Sequence, residues 1–556
     1  MKRRQVLAGL AATVPALAAP ALLPRQALAA GAAAPAGLEP MAAGPFAPNW
    51  DSLATYDTPE WFRNAKFGLW AHWGPQCEPE YGDWYARYMY VEGSNAYRFH
   101  VQKYGHPSKT GFKDVIRQWQ AAEWNPDSLL ALYRTAGARY FVALANHHDN
   151  FDLYDSRFQP NWNATRIGPR KDLIGGWARA ARANGLRFGV SMHASHAWTW
   201  YEVAQGADKT GPYAGIPYDG VRTRADGKGA WWEGLDPQEL YAQRHPLSRK
   251  WDGTPAHGVA QWNWGGGAAL PSRQYIETFH NRVLDLIGKY DPDLIYFDDD
   301  DLPFWPVSDA GLRIAAHMYN RSIATRGGLD TVITGKMLQG QQRRSLVLDI
   351  ERGQSAAIDP LPWQTCTCIG GWHYARGIYD RHGYKSAQTV VHMLVDIVSK
   401  NGNLLLSVPV RGNGTIDEQE QAIVEEIGRW MARYGEGIYD TRPWAVFGEG
   451  PGMAAAPLTA QGFNEGKGAP LTAADVRFTA KGDTVYAFVM GWPAGREITI
   501  AALGTASGHL EKPVARVEFV GAGQALAFTQ AADGLRVTLP PAAPALPYAF
   551  ALKVLV

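Results

Sequence analysis

Only three cysteines, Cys77, Cys366 and Cys368, occur in 556 residues, too few for a disulfide framework. They read as packed thiols, and neither a disulfide nor a metal site is expected from them. Charge of one sign is also missing: 54 Lys and Arg stand against 53 Asp and Glu. With no dense basic stripe, that balance argues against a phosphate-rich partner, and no nucleic acid is expected. Beyond the first thirty residues no apolar run is long enough to span a bilayer, so no membrane anchor is expected. No internal repeat is visible.

What is present is length and aromatic surface. A chain of this size exceeds one core, so a large domain with a smaller one is expected. The 22 Trp and 25 Tyr fit two readings, large cores or a sugar pocket whose indoles stack on pyranose C–H faces. Residues 1–29 read as an export signal. Met1–Gln5 is basic, Val6–Leu23 is rich in Ala and Leu, and Ala27-Leu28-Ala29 supplies a small-x-small cleavage site. Arg3-Arg4 before Gln5-Val6-Leu7 looks like a twin-arginine signal. A periplasmic or secreted location is expected. Residues 30–49, rich in Ala, Pro and Gly, read as a linker.

From residue 50 to about 440, short apolar runs alternate with amphipathic helices. The strand candidates are Lys66–Trp73, Tyr140–Asn146, Arg187–His193, Leu294–Asp298, Thr331–Thr334, Ser345–Glu351, Trp363–Ile369 and Leu404–Val410. Helices are expected at Pro126–Ala138, Asp172–Asn184, Arg273–Tyr290, Ser386–Lys400 and Asp417–Tyr434. Strands separated by helices predict an α/β fold, a (β/α)8-like barrel. Ala204–Ala269 breaks the rhythm and reads as a lid or pocket wall. Residues 441–556 read as a C-terminal antiparallel β-sandwich, with turns at Lys481-Gly482-Asp483 and Asp533-Gly534.

Several of these strands end in side chains that do chemistry, where a parallel barrel keeps its active site. Asp298 follows the apolar Leu294–Phe297, and a carboxylate there is costly unless bonded and used. The other readings of Asp298–Asp301 are a solvated turn or a calcium loop, although no spaced loop pattern follows. Glu351 closes Leu346–Ile350 and is a natural partner for a pair flanking a glycosidic bond; an ion pair with Arg352 or Arg344 is its plainer reading. His147-His148-Asp149 invites a metal. Without an H-E-x-x-H helix, neutral imidazoles binding sugar hydroxyls fit better. His72, between Trp70 and Trp73, has the same character or is a core histidine.

Together the motifs resemble glycoside hydrolase family 29, the α-L-fucosidases. Lys66–Gly74 (KFGLWAHWG) resembles K-F-G-x-F-x-H-W-G, Asp83-Trp84-Tyr85 resembles E-W-Y, and His147–Phe151 (HHDNF) resembles H-H-D-G-F. Ser399–Leu406 (SKNGNLLL) and Gly435–Tyr439 (GEGIY) match further segments. The resemblance implies a barrel followed by a β-sandwich, no metal and no cofactor, and a retaining double displacement. By position, Asp298 matches the nucleophile and Glu351 the acid/base. His72, His147 and His148 match histidines that bind sugar hydroxyls, Trp84 a pocket tryptophan, and Trp372 an aromatic near the C5 methyl of fucose. The implied activity is exo-hydrolysis of terminal α-L-fucose from oligosaccharides or glycoconjugates. Departures fall on Gln364, His373, Asn150 and Ser191-Met192-His193, placed by the motif match around the sugar. They keep an α-L-galactoside or α-L-glucoside open as substrate, and a non-catalytic sugar-binding protein as a lesser alternative.

Overall fold

The computed structural model describes residues 37–249, 262–454, 464–466 and 468–556; the export signal read over residues 1–29 lies outside them. Eight parallel strands close a barrel in chain order: β1 (Phe67–Ala71), β2 (Tyr140–Asn146), β3 (Arg187–Met192), β4 (Leu294–Phe297), β5 (Val332–Gly335), β6 (Val347–Glu351), β7 (Trp363–Cys368) and β8 (Gly402–Ser407). Gly68 lies opposite Tyr140 on one side of β1, and Phe67 opposite Leu404 on the other, which closes the ring. Each of the eight apolar runs read from the sequence is one of these strands. Such runs suit strands buried on both faces, against the barrel interior and against the helices outside. At Gly68 an added Cβ would meet the Tyr140 ring at 2.4 Å. Glycine there lets Tyr140 cross the interior and donate to Gln364 Oε1 at 2.9 Å.

The outer helices begin where the sequence supplies caps. Asn125 accepts from the Ser128 amide ahead of Pro126–Thr135, and Asp172 from Gly175 ahead of Leu173–Ala183. Ser272 caps Arg273–Tyr290, Ser386 caps Ala387–Ser399, and Asp417 with Glu420 forms a capping box on Glu418–Tyr434. Each cap contributes about 1 kcal/mol. The described part of the segment read as a linker lies along this shell. Glu39 N–H donates to Asn281 Oδ1 at 2.7 Å, and Phe46 N–H to Asn320 Oδ1 at 2.9 Å.

C-terminal to the barrel lie two antiparallel sheets. Their strands are β9 (Arg442–Glu449), β10 (Val476–Lys481), β11 (Thr484–Val489), β12 (Glu497–Ile500), β13 (Arg516–Phe519), β14 (Gln524–Ala525), β15 (Phe528–Ala531), β16 (Gly534–Thr538) and β17 (Phe550–Leu555). One sheet runs β14-β13-β17-β11-β10-β9 and the other β12-β16-β15. Both predicted turns are present, joining β10 to β11 and β15 to β16. β9, β14 and β15 were not legible, since their residues are mostly half-exposed and lack a clean alternation. Arg477 on β10 donates to Asp396 Oδ1 at 2.5 Å, and Lys400 to Asp396 Oδ2 at 2.7 Å. That buried trio and the Trp430 indole on the Ala549 carbonyl (2.9 Å) fix the six-stranded sheet to the barrel's last two long helices. All three cysteines are buried and unbridged. No helix among the described residues is long and apolar enough to cross a membrane.

Candidate active site

Because the eight strands are parallel, the residues that end them gather at one rim. His72 follows β1, His147 and His148 follow β2, His193 follows β3, Asp298 follows β4, Lys336 follows β5, and Glu351 ends β6. The Lys336 ammonium joins the two carboxylates, donating to Asp298 Oδ1 and, at 2.6 Å, to Glu351 Oε2. Both acids keep a little solvent contact, 19% and 16% of the side chain, as an open pocket requires. Burial would raise the Asp298 carboxyl. The Lys336 ammonium and the His193 and His148 rings outweigh it and hold that carboxyl well below its usual range. For Lys336, burial works against the charge, and Asp298 and Glu351 raise it well above the usual amine value. Neither arginine considered as a partner of Glu351 takes that place. Arg352 instead donates to Cys368 Sγ at 2.7 Å and lies over the Trp372 ring.

Beside the charges stands a packed group of imidazoles. His147 lies 5.1 Å from His72, 4.5 Å from His148, 5.0 Å from His193 and 4.8 Å from His373, measured between ring centres. All five rings are buried. Burial holds His72 and His147 well below the usual imidazole range, and pushes His148 down to about 4 against the pull of Asp298. His148 Nε2 is 3.0 Å from Asp298 Oδ2, and Nδ1 is 2.8 Å from the His193 carbonyl. A neutral ring donates once, so carbonyl and carboxylate compete for its one proton. Both nitrogens of His72 and of His193, and Nε2 of His373, are buried without a hydrogen-bond partner. His193 Nδ1 is 3.2 Å from Asp298 Oδ2, close but not aligned for a bond. These orphan nitrogens are what a ligand bearing several hydroxyls would satisfy. Two triads, His72 with His147 and His373, and His147 with His148 and His193, bring ligand atoms within 4.8 Å of one another.

Aromatic rings complete the walls. Trp372 is buried 5.5 Å from His72 and 5.4 Å from Trp70. Trp84 is half-buried, 6.4 Å from His148, and holds a left-handed backbone with φ of 59°. For a bulky aromatic that conformation is strained, a feature that clusters at functional sites. Trp262, from the long segment read as a lid or pocket wall, packs 5.0 Å from His148 and 4.2 Å from His196. The described part of that segment is pinned down. Asp219 accepts from Tyr90 (2.6 Å), Tyr241 (2.7 Å) and Lys113 (2.9 Å), and Asp208 from Tyr218 (2.6 Å) and Tyr97 (2.5 Å).

Every side chain singled out from the sequence, His72, Trp84, His147, His148, Asp298, Glu351 and Trp372, comes to this rim. Lys336 was missed, although it follows an apolar strand in the same way as Asp298. Gln364 was expected beside the sugar, and its contacts lie elsewhere. It is fully buried, donates to Asp349 Oδ2 at 2.7 Å and accepts from Tyr140, one layer below the rim. Asn150, at φ of 62°, occupies a left-handed position that Asn tolerates better than most residues. Asp299 is tied to Ser195 (2.8 Å) and His196 (2.9 Å), so the acidic run is divided between separate partners.

Residues 36–436 match the family described as Alpha-L-fucosidase, and residues 470–555 match its C-terminal domain. The tissue alpha-L-fucosidase of Rattus norvegicus is 25% identical over 507 residues, covering 89% of this chain and 88% of the rat protein. Among solved structures, the Thermotoga maritima alpha-fucosidase in complex with fucose superposes with a TM-score of 0.65 at 21% identity, covering 92% of this chain and 100% of that one. An alpha-L-fucosidase from Bacteroides thetaiotaomicron, solved as a trapped covalent intermediate, gives 0.58 at 16% identity over 89% and 96%. At these identities the solved structures speak for the fold.

Proposed function

Because the chain belongs to the alpha-L-fucosidase family of glycoside hydrolases, we propose that it removes terminal α-L-fucosyl residues from oligosaccharides or glycoconjugates with retention. The observation that carries this reading is the ammonium of Lys336 shared by Asp298 and Glu351. Two oxygens on one ammonium are at most about 5.5 Å apart, twice a charge-assisted hydrogen bond of ~2.7 Å. Retaining pairs stand about 5–5.5 Å apart, whereas inverting pairs need roughly 6.5–9.5 Å to admit a water. A relative trapped as a covalent intermediate supports the same route.

In this mechanism Asp298, kept ionised by Lys336, attacks the anomeric carbon as the glycosidic C–O bond breaks. Glu351 gives its proton to the leaving oxygen. The Asp298 ester then removes that carboxylate's charge, and Lys336 is left to Glu351. Water attacks the anomeric carbon, Glu351 takes its proton, and the Asp298–sugar bond breaks. His72, His147 and His148 bind the sugar hydroxyls as neutral rings, Trp372 packs on the apolar edge of the sugar, and Trp84 lines the mouth. A rim enclosed by aromatics and a pinned roof suits exo-action on chain ends. Export to the periplasm or medium follows from the signal read over residues 1–29.

A second reading keeps the mechanism and changes the sugar. The unbonded nitrogens of His193 and the free Nε2 of His373 offer further polar contacts that an α-L-galactoside or α-L-glucoside would use. The test is turnover of a panel of nitrophenyl α-L-glycosides, with Asp298→Asn alongside. Fucoside hydrolysis lost in the variant supports the first reading. Preference for another α-L-hexoside moves the substrate, and no turnover of any member would overturn both.

A further inference from the structure

We infer that His72, His147 and His373 form a binding site for one divalent transition-metal ion of the zinc, copper or nickel kind, which competes with the sugar. The three rings come from different parts of the rim, the end of β1, the end of β2 and the turn after β7. Their centres are 4.6, 4.8 and 5.1 Å apart. An ion bound at ~2.1 Å by three imidazole nitrogens puts ring centres about 5 Å from one another. Their ligand atoms already lie within 4.8 Å of one another, so small ring movements close the site.

Polar side chains already touch two of the three rings. A metal-bound imidazole usually gives its other N–H to a carboxylate or amide, which fixes the ring. Asp83 Oδ1 is 3.2 Å from His373 Nδ1, leaving His373 Nε2 buried and without a partner. The Gln76 side-chain amide is 2.7 Å from His147 Nδ1. The same amide donates to Asp149 Oδ2 at 3.3 Å and accepts from the Ala86 N–H, so for His147 to ligate through Nε2 its proton moves to Nδ1 and the Gln76 bond is given up. His72 has both nitrogens buried and partnerless. An all-imidazole donor set favours zinc, copper and nickel over calcium or magnesium.

Competition rests on the reading of His72 and His147 as hydroxyl-binding groups, since the same nitrogens cannot serve ion and sugar together. The ion is an inhibitor here, and the chelated enzyme keeps its turnover. The experiment uses untagged, chelator-treated protein titrated with Co2+, whose visible absorption reports nitrogen ligation. Zn2+ displacement and steady-state inhibition follow. One Co2+ per chain is expected, displaced by Zn2+, with inhibition competitive against an aryl α-L-fucoside. His373→Gly should weaken binding by about 100-fold, and Asp83→Asn by roughly 10-fold, both with an unchanged circular dichroism spectrum. Binding that survives unchanged in His373→Gly, or no Co2+ signal below millimolar concentration, overturns the site. Loss of turnover on chelation overturns the inhibitory role. Tight binding with non-competitive inhibition keeps the site and removes His72 and His147 from the sugar, which separates this inference from the proposed function.

Discussion

The first three strand ends of the barrel rim carry imidazoles, and the next three carry charges. His72, His147, His148 and His193 are buried, and His72 and His193 have no hydrogen-bond partner at either nitrogen. Asp298, Lys336 and Glu351 are joined to one another and keep a thin solvent contact. The difference follows from what each group costs to bury. A neutral imidazole without a partner costs a few kcal/mol and can wait for a ligand, whereas an unpaired charge costs far more and must be balanced within the fold. Under the proposed function, one half of the rim serves recognition and the other bond making.

The sharpest break of that division is Asp298→Asn, which removes the proposed nucleophile and leaves the imidazoles in place. Turnover of an aryl α-L-fucoside should fall by at least about 10^4-fold, while fucose binding measured by calorimetry persists. Loss of binding together with turnover would mean that the halves do not act separately. Next in size is Glu351→Ala. General acid catalysis contributes roughly 10^2–10^4-fold, so natural oligosaccharides should suffer most. Nitrophenyl substrates, with good leaving groups, should suffer far less and be rescued by azide. Equal losses on both would assign the acid elsewhere. Lys336→Met comes third. Without the ammonium, only the His193 and His148 rings oppose burial at Asp298, and its carboxyl moves up. The acid limb of the kcat/KM profile should then move to higher pH by at least about one unit, a tenfold loss on the acid side. Lys336→Arg should restore most of it. An unmoved limb would show that Lys336 does not set the charge of Asp298.

The two halves also differed in how readily they could be read. The barrel was legible because its strands are apolar runs buried on both faces, and His72, His147, Asp298 and Glu351 stand where such runs stop. Lys336 follows the same rule, but Val332–Gly335 is short and ends in Thr334-Gly335, so the run was closed before the lysine. The buried, unbonded nitrogens of His193 and His373 depend on rings arriving from strands far apart in the chain, which no local pattern reveals. In the C-terminal sheets, β9 opens with Arg442-Pro443 and has few buried residues, so neither composition nor alternation marked it.

A smaller effect sharpens the charged half from below. Asp349 and Glu351 are two residues apart on β6 and share a face. Glu351 has the Lys336 ammonium, whereas Asp349 has only neutral partners, the Gln364 amide at 2.7 Å and the Cys366 thiol at 2.8 Å. Burial accordingly raises Asp349 to about 6. A carboxyl raised in the fold adds stability that is fully present below its unfolded value of about 4. That stability is lost as pH rises through 6. The shift of about two units corresponds to about 3 kcal/mol. Asp349→Asn keeps the shape and does not titrate. Measured by urea unfolding, its stability relative to the parent should therefore improve by up to about 3 kcal/mol between pH 4 and pH 7. A difference that stays flat across that range would mean Asp349 shares the charge balance of Lys336 and the boundary between the layers is not electrostatic.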